Sequence, residues 1–107
     1  MTPKRLEVWL VRVQVGKSLD ARPCIVLAEP RSDGAVAVVA LSSAKDLKRP
    51  GFDFPLNPDH PNWMASGLRR PSQVLGDGFR LPEFDDFIER WGRLEGDLAR
   101  EFEVWLG

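Results

Sequence analysis

An arginine and a serine stand at corresponding ends of two apolar segments of this chain, and both residue types bind anions. Arg22 precedes a buried strand predicted over residues 24–28, and Ser42 follows the apolar run of residues 35–41. Because an antiparallel hairpin made of these strands brings its open ends together, we expect Arg22 and Ser42 to lie side by side. A fixed guanidinium beside a hydroxyl can stabilise anionic oxygens. By pattern alone, an exposed arginine and a turn serine are the simpler interpretation.

Further cations and hydroxyls, with one carboxylate, lie near predicted strand ends and turns: Lys17, Ser43, Lys45, Arg69, Arg70, Arg80 and Asp77. Several other chemistries are excluded, because the chain has no glycine-rich phosphate loop, nucleophile elbow or HExxH zinc motif. The single cysteine, Cys24, rules out an intrachain disulfide and a cysteine-based zinc cluster, and it is expected to be a buried apolar residue. The spacing of Asp53, Asp59 and His60 matches no known metal-ligand pattern, which favours an ordinary polar loop.

Short strands separated by turns must position these residues. A loop is predicted over residues 16–20, and turn residues 30–34 (Pro-Arg-Ser-Asp-Gly) join two strands of a hairpin. The glycines around Asp77, in residues 76–78, are expected to break a strand, and residues 44–50 form a polar segment. The predicted strands cover residues 6–15, 24–28, 35–41, 52–54, 72–75, 79–81 and 90–94.

Two helices are predicted near the end of the sequence. Pro82 suits the first turn of a short helix over residues 83–88. Gly92 and Gly96 argue against one continuous helix, because each glycine costs about 1 kcal/mol in a helix interior. A final helix is indicated by apolar residues spaced for one face, namely Leu94, Leu98, Phe102 and Trp105. Together these elements predict a mainly β fold with some α, either a small barrel or a curled sheet closed by a helix.

Length and charge fit a single domain over residues 1–107. The longest apolar run has only seven residues, far short of the roughly 20 that a membrane helix needs, so we expect no membrane partner. Without an apolar signal segment, the chain is expected to be cytoplasmic. Residues 1–82 carry 12 basic and 8 acidic side chains, whereas residues 83–107 carry 3 and 8. This asymmetry leaves nucleic-acid binding open although the net charge is −1.

Several motifs, taken in order, resemble the MazF/PemK family of toxin endoribonucleases. The most specific is Arg22-Pro23-Cys24-Ile25-Val26-Leu27, which is similar to the family's Arg-Pro-Val-Leu-Val-Leu. The opening Glu7-Val8-Trp9 resembles its Gly-Asp/Glu-Ile/Val-Trp strand, with Leu6 in place of the glycine. The remaining matches are Val38-Val39-Ala40-Leu41-Ser42-Ser43, then Ser72-Gln73-Val74-Leu75 with Asp77 and Arg80, and finally Gly92-Arg93-Leu94 before an acidic helix. The resemblance extends over nearly the whole chain.

The resemblance implies an SH3-like small β-barrel of the MazF/PemK/CcdB type with a C-terminal helix, assembled as a homodimer. It implies a toxin of a toxin–antitoxin pair that cleaves single-stranded RNA without a metal ion or cofactor, and a flexible acidic antitoxin peptide as partner. Arg22 would stabilise the transition state, Ser42 would replace the family's catalytic threonine, and Asp77 would assist catalysis. The RNA-binding residues would be Lys17, Ser43, Arg69, Arg70 and Arg80.

Three alternatives stay open at this point. The ending Val104-Trp105-Leu106-Gly107 somewhat resembles that of CcdB-type proteins, which share the fold and bind DNA gyrase without cutting nucleic acid. A family member that has lost cleavage is a second alternative. A small β domain that only binds a partner peptide is the third. The Arg22-Pro23 motif favours the ribonuclease over the gyrase-binding interpretation.

Overall fold

Among the residues that the structure describes, six antiparallel strands form one sheet in the order β4-β5-β3-β2-β1-β6. The computed structural model describes residues 2–43 and 49–107, so the predicted cation Lys45 lies outside the described residues. The strands are β1 Glu7–Val15, β2 Ser18–Val26, β3 Val38–Ser43, β4 Phe54–Leu56, β5 Ser72–Arg80 and β6 Phe87–Arg93. A C-terminal helix, α1, covers Gly96–Leu106. The predicted mainly β fold with a closing helix is confirmed.

The sheet curls strongly but does not close into a barrel. In a flat sheet β5 and β1 would be three strand intervals apart, or about 14 Å. The Nε of Arg80 on β5 nevertheless donates a hydrogen bond of 2.8 Å to the carbonyl oxygen of Gln14 on β1. Within the described residues the end strands β4 and β6 do not pair with each other. The predicted barrel is therefore a curled, open sheet.

The two faces of the sheet carry separate apolar cores, because side chains alternate along each strand. Val8, Ile25 and Val39 point toward α1 and pack with Leu98 and Phe102 of the helix. The opposite face buries Trp9, Val11, Val13, Cys24, Val26, Val36, Val38 and Ala40. The predicted apolar face of the helix is confirmed, although Leu94 lies just before α1. A strand buried on both faces shows little alternation, which explains the continuous apolar run that precedes Ser42.

The β2–β3 hairpin forms as predicted, whereas the β1–β2 connection is tighter than predicted. Val15 pairs with Ser18 across a turn made by Gly16 and Lys17, so β2 begins inside the segment predicted as a loop. Gly16 adopts φ +62°, a conformation that glycine takes without strain. The side chains of residues 18–21 are all exposed. No apolar alternation therefore marks this half of β2 in the sequence.

Strand β5 continues through Gly76-Asp77-Gly78, where a break was predicted. Val39 pairs with Phe79 and Leu41 with Val74, so four β5 residues bulge opposite the single residue Ala40. A Cβ at Gly76 would lie 2.3 Å from the carbonyl oxygen of Phe52, so only glycine allows this close approach. The glycines bend the strand instead of ending it. Strand β4 covers Phe54–Leu56, so it begins two residues later than the strand predicted over residues 52–54.

The helix predicted over residues 83–88 is wrong. A single 3₁₀ turn, Phe84–Asp86, occupies its start, and reciprocal side-chain and backbone hydrogen bonds between Glu83 and Asp86 close it. Phe87 then pairs with Val11 and packs edge-to-face on Trp9, with ring centres 5.6 Å apart. Tertiary pairing with β1 thus overrides the local helix signal, and β6 replaces the shorter strand predicted at residues 90–94.

A second 3₁₀ turn, Met64–Ser66, crosses β6 at Gly92. A Cβ on Gly92 would lie 2.2 Å from the carbonyl oxygen of Ala65, so this position admits no side chain. The glycine of the Gly92-Arg93-Leu94 motif is explained by this contact. No helix in the described part of the chain is long and apolar enough to span a bilayer.

Candidate active site

A cleft opens where β2 and β3 stop pairing. The two strands pair only from Cys24 opposite Ala40 to Val26 opposite Val38. Pro23 comes immediately before this ladder, and a proline cannot donate a ladder hydrogen bond. Beyond it the strands enclose a cleft of about 350 Å³ lined by residues 20–23 of β2 and residues 41–43 of β3. The proline of the Arg-Pro motif thus stands where the sheet divides.

Arg22 and Ser42 lie on the same face of the sheet, on opposite sides of this cleft. Arg22 is two residues before Cys24 and Ser42 is two residues after Ala40, and those two neighbours pair directly. Since side chains alternate between faces, Arg22 and Ser42 share one face. Both are partly buried. No ion pair among the described residues involves Arg22.

Two further groups lie near the guanidinium. Asp20 is an exposed residue that lines the same cleft, and it shares the face of Arg22 because it is two residues away along β2. Cys24 is fully buried, as predicted. Burial raises the pKa of its thiol to about 12, although the nearby charges of Arg22 and Arg80 oppose the rise. The thiol is therefore neutral at pH 7, and the carboxylate is the proton acceptor that the cleft offers.

A second pocket, of about 260 Å³, adjoins the first and shares Ala21, Pro23 and Ser43 with it. Its other lining residues are Leu10, Leu68, Arg69, Arg70, Ser72 and Trp91. The Arg69 guanidinium lies over the Trp91 ring, 5.5 Å from the ring centre. Three of the residues predicted to bind RNA, Ser43, Arg69 and Arg70, are therefore brought beside the cleft of Arg22 and Ser42.

Asp77 has a different environment. The guanidinium of Arg49 donates to both Asp77 carboxylate oxygens at 3.3 Å and to both oxygens of the buried Asp53 at 2.8 and 3.0 Å. Hydrogen bonds from Arg49 lower the pKa of the Asp77 carboxyl group. Asp77 is not among the residues that line the cleft of Arg22 and Ser42. The hydrogen bonds of Arg49 therefore connect Asp53, which directly precedes β4, to Asp77 in the β5 bulge.

The two other predicted RNA-binding residues, Lys17 and Arg80, are not among the residues that line the cleft. Arg80 donates to three carbonyl oxygens, those of Gln14, Asp77 and Phe79, at 2.8 to 3.0 Å. The side chain of Arg80 therefore connects β5 to β1 and stabilises the curl of the sheet. Lys17 is exposed in the β1–β2 turn, five residues before Arg22, which corresponds to about 17 Å along a strand.

The structure adds residues that the sequence did not indicate. Gln73 pairs with Ser42 across β3 and β5, so the two side chains share a face. Gln73 is only 6% exposed, and its Oε1 has no hydrogen-bond partner among the described residues. The buried Nε1 of Trp91 likewise has none. Gln73 and Trp91 come near the site through pairing of strands that are distant in sequence, whereas Asp20 lies two residues from Arg22 on β2, in a segment predicted as a loop.

The chemistry that this site can perform follows from a guanidinium, a hydroxyl and a carboxylate around one cleft. The guanidinium and hydroxyl can stabilise charge that develops on phosphoryl oxygens, and the carboxylate can accept a proton. In residues 2–43 and 49–107, no group of three or more histidine, cysteine or acidic side chains is arranged to hold a metal ion.

Solved structures with a similar fold include the Mycobacterium tuberculosis toxin MazF-mt6, with a TM-score of 0.69, 17% identity, and coverage of 94% of this chain and 92% of that one. An endoribonuclease in complex with its cognate antitoxin from Mycobacterial species gives a TM-score of 0.67 at 17% identity, covering 97% and 90%. An endoribonuclease from Mycobacterial species gives a TM-score of 0.66 at 17% identity, and the match covers 97% of this chain and 86% of that one. No family model matches the chain, and no curated protein matches its sequence. These likenesses establish the fold.

Proposed function

We propose that this chain, which has the fold of the MazF toxins, is the toxin of a type II toxin–antitoxin system and cleaves single-stranded RNA without a metal ion. The observation that carries the proposal is the placement of Arg22 and Ser42. In a fold shared with proteins described as endoribonucleases, Arg22 and Ser42 line one cleft where two strands separate, and Arg22 forms no ion pair with any other residue that the structure describes.

The reaction proposed is attack by a ribose 2′-hydroxyl on the adjacent phosphorus. A bond forms between the 2′ oxygen and phosphorus, the bond from phosphorus to the 5′ oxygen breaks, and the products carry a 2′,3′-cyclic phosphate and a 5′-hydroxyl. Arg22 stabilises the negative phosphoryl oxygens, and Ser42 donates a further hydrogen bond. Asp20 accepts the proton of the 2′-hydroxyl, and water protonates the leaving 5′ oxygen. The nucleophile belongs to the RNA, so no metal-activated water is required.

The second pocket extends the binding surface for RNA. Ser43, Arg69 and Arg70 would contact the strand beside the scissile phosphate, and Lys17 and Arg80 would add phosphate contacts. We further propose that the protein acts in the cytoplasm as a homodimer and that an acidic antitoxin peptide covers the same cleft. The solved complex of a structurally similar endoribonuclease with its cognate antitoxin supports such a partner.

The decisive experiment incubates the purified protein with single-stranded RNA in the presence of EDTA. Cleavage is expected, and Arg22→Ala should lower its rate about 10²- to 10³-fold, the cost of losing one transition-state donor. Arg31→Ala is the matched control, because Arg31 is an exposed arginine in the turn at the other end of the β2–β3 hairpin. RNA that stays intact at high protein concentration would reject cleavage and leave the non-cleaving alternative.

The gyrase-binding alternative is not favoured, because Trp105 is a packing residue. Its Nε1 donates to the carbonyl oxygen of Phe52 at 3.2 Å, and its ring stacks on Phe79 and Phe102 with centres 6.4 and 5.8 Å away. A side chain engaged in these contacts is a poor anchor for a partner protein. Gyrase-dependent DNA breaks in the presence of the protein would nevertheless revive this alternative.

A further inference from the structure

The pocket beside the cleft, which we call the Trp91 pocket, has the size and walls of a site for one flat ring. Its volume of about 260 Å³ is below the roughly 300–1,000 Å³ of ordinary small-molecule pockets. Leu10, Pro23 and Leu68 supply apolar walls, and Ser43 and Ser72 supply hydroxyls. Because Pro23 and Ser43 also line the cleft of Arg22 and Ser42, the two spaces are contiguous.

One wall of the Trp91 pocket is a cation–π pair. The planar guanidinium of Arg69 lies over the Trp91 ring, so it presents a flat, positively charged surface. The Nε1–H of Trp91 is buried, so a ligand in the pocket meets the guanidinium of Arg69 rather than the indole N–H.

We propose that the Trp91 pocket binds one base of single-stranded RNA, next to the nucleotide whose phosphate lies at Arg22 and Ser42. This inference rests on the proposed function and adds a specificity site to it. The base stacks on the guanidinium of Arg69, which Trp91 supports from behind, and the hydroxyls of Ser43 and Ser72 line the same pocket as partners for the polar edge of the base. Stacking on aromatic and arginine planes is the usual way that proteins hold unpaired RNA bases.

A base fits this pocket better than a phosphate does. A phosphate placed among Leu10, Pro23 and Leu68 would lose its hydration to apolar walls. A base also offers a flat surface to the face of Arg69, which a tetrahedral phosphate does not. The sequence-based assignment of Arg69 as an RNA-binding residue is kept, but its contact is with a base.

Binding of 2′-fluoro oligonucleotides tests the inference without cleavage, because these strands lack the nucleophilic 2′-hydroxyl. A mixed-sequence dodecamer is compared with versions in which one base at a time is removed. With the wild-type protein, base removal at one position should weaken binding about tenfold. With Arg69→Gln the same removal should have little effect. Arg93→Gln, an exposed arginine two residues from Trp91 on the same strand, should behave as wild type.

Proton NMR supplies a second measurement. The indole N–H signal that is absent from Trp91→Phe should shift when the dodecamer is added. The signals of Trp9 and Trp105, whose N–H groups are already bonded to Glu7 and Phe52, should stay in place. Binding with no position that depends on Arg69, and no shift of the Trp91 signal, would overturn the base site and leave the proposed ribonuclease intact. Failure of all RNA binding and cleavage would overturn both.

Discussion

The carboxyl groups of Asp20 and Asp77 have different surroundings, although both belong to strands that border the site. Asp20 lines the cleft of Arg22 and Ser42 and shares the face of Arg22. Asp77 is paired with Arg49, whose hydrogen bonds lower the pKa of the Asp77 carboxyl group. A carboxylate with a lowered pKa is a weaker base, and one held by a guanidinium is less free to approach a ribose. The geometry therefore favours Asp20 for proton transfer.

Asp20→Asn should lower kcat for RNA cleavage at neutral pH about 10²-fold or more, the range of general-base catalysis, with a smaller change in KM. Asp77→Asn is the matched comparison and should leave kcat within a few-fold of wild type. The reverse result, an inactive Asp77→Asn protein beside a normal Asp20→Asn protein, would support the sequence-based assignment of Asp77 instead.

At the scale of the elements, Glu7 joins the first strand to the last. Its carboxylate accepts hydrogen bonds from the Trp9 indole at 2.9 Å, from Nε of Arg90 on β6 at 2.7 Å and from the Lys4 amide at 2.8 Å. Burial raises the pKa of Glu7, but these hydrogen bonds outweigh it, so the pKa lies below the ordinary value of 4.5. The acidic residue and tryptophan of the opening motif thus form a structural pair.

Glu7→Gln should lower the free energy of unfolding by about 1–2 kcal/mol at pH 7, because charge-assisted hydrogen bonds are lost. The folded pKa is depressed, so the contribution of Glu7 is complete above about pH 4.5 and disappears as the pH falls through the folded value. Urea unfolding between pH 3 and 7 measures this, and the difference between wild type and variant should shrink toward low pH.

Glu89→Gln is the control for Glu7→Gln, since Glu89 is an exposed carboxylate on β6. It should change stability by less than about 0.5 kcal/mol at any pH in this range. A Glu7→Gln protein whose deficit were the same at pH 3 as at pH 7 would show that the ionised carboxylate is not what stabilises the junction of β1 and β6.

At the scale of the whole molecule, the curl of the sheet buries the apolar side chains on the face opposite α1. Val11, Cys24 and Val38 on this face are fully buried although the helix packs on the other side. Arg80 links the far end of β5 to β1 through the carbonyl oxygen of Gln14, across two intervening strands. The same long-range link keeps the strands that carry Arg22 and Ser42 in their relative positions.

Arg80→Met should lower the free energy of unfolding by about 1–2 kcal/mol, because three hydrogen bonds from a charged donor are lost at a partly exposed site. Urea unfolding measures the loss, and Arg31→Met, in the exposed turn before β3, should cost less than about 0.5 kcal/mol. Unchanged stability combined with weaker RNA binding and a shallower salt dependence would instead support a phosphate contact by Arg80.

The sequence by itself determined the features that depend on near neighbours. Turn residues 30–34 define the β2–β3 hairpin, and that hairpin places Arg22 near Ser42. The spacing of Leu98 and Phe102 defines the buried face of α1. The resemblance even marks the position of Leu6, which stands where the family has glycine and adopts φ 71°, a conformation that glycine favours. In each case the determining interactions lie within a few residues or one hairpin.

Only the tertiary structure decided which distant segments meet. The pairing of β3 with β5 sets Gln73 beside Ser42, and the crossing of β6 by the turn at Met64–Ser66 accompanies the stacking of Arg69 on Trp91. Asp77 was joined to Arg49 across a bulge that no turn rule predicts. The physical reason is that the order and register of non-adjacent strands are fixed by burial of both faces of a curled sheet. That burial depends on the whole chain at once.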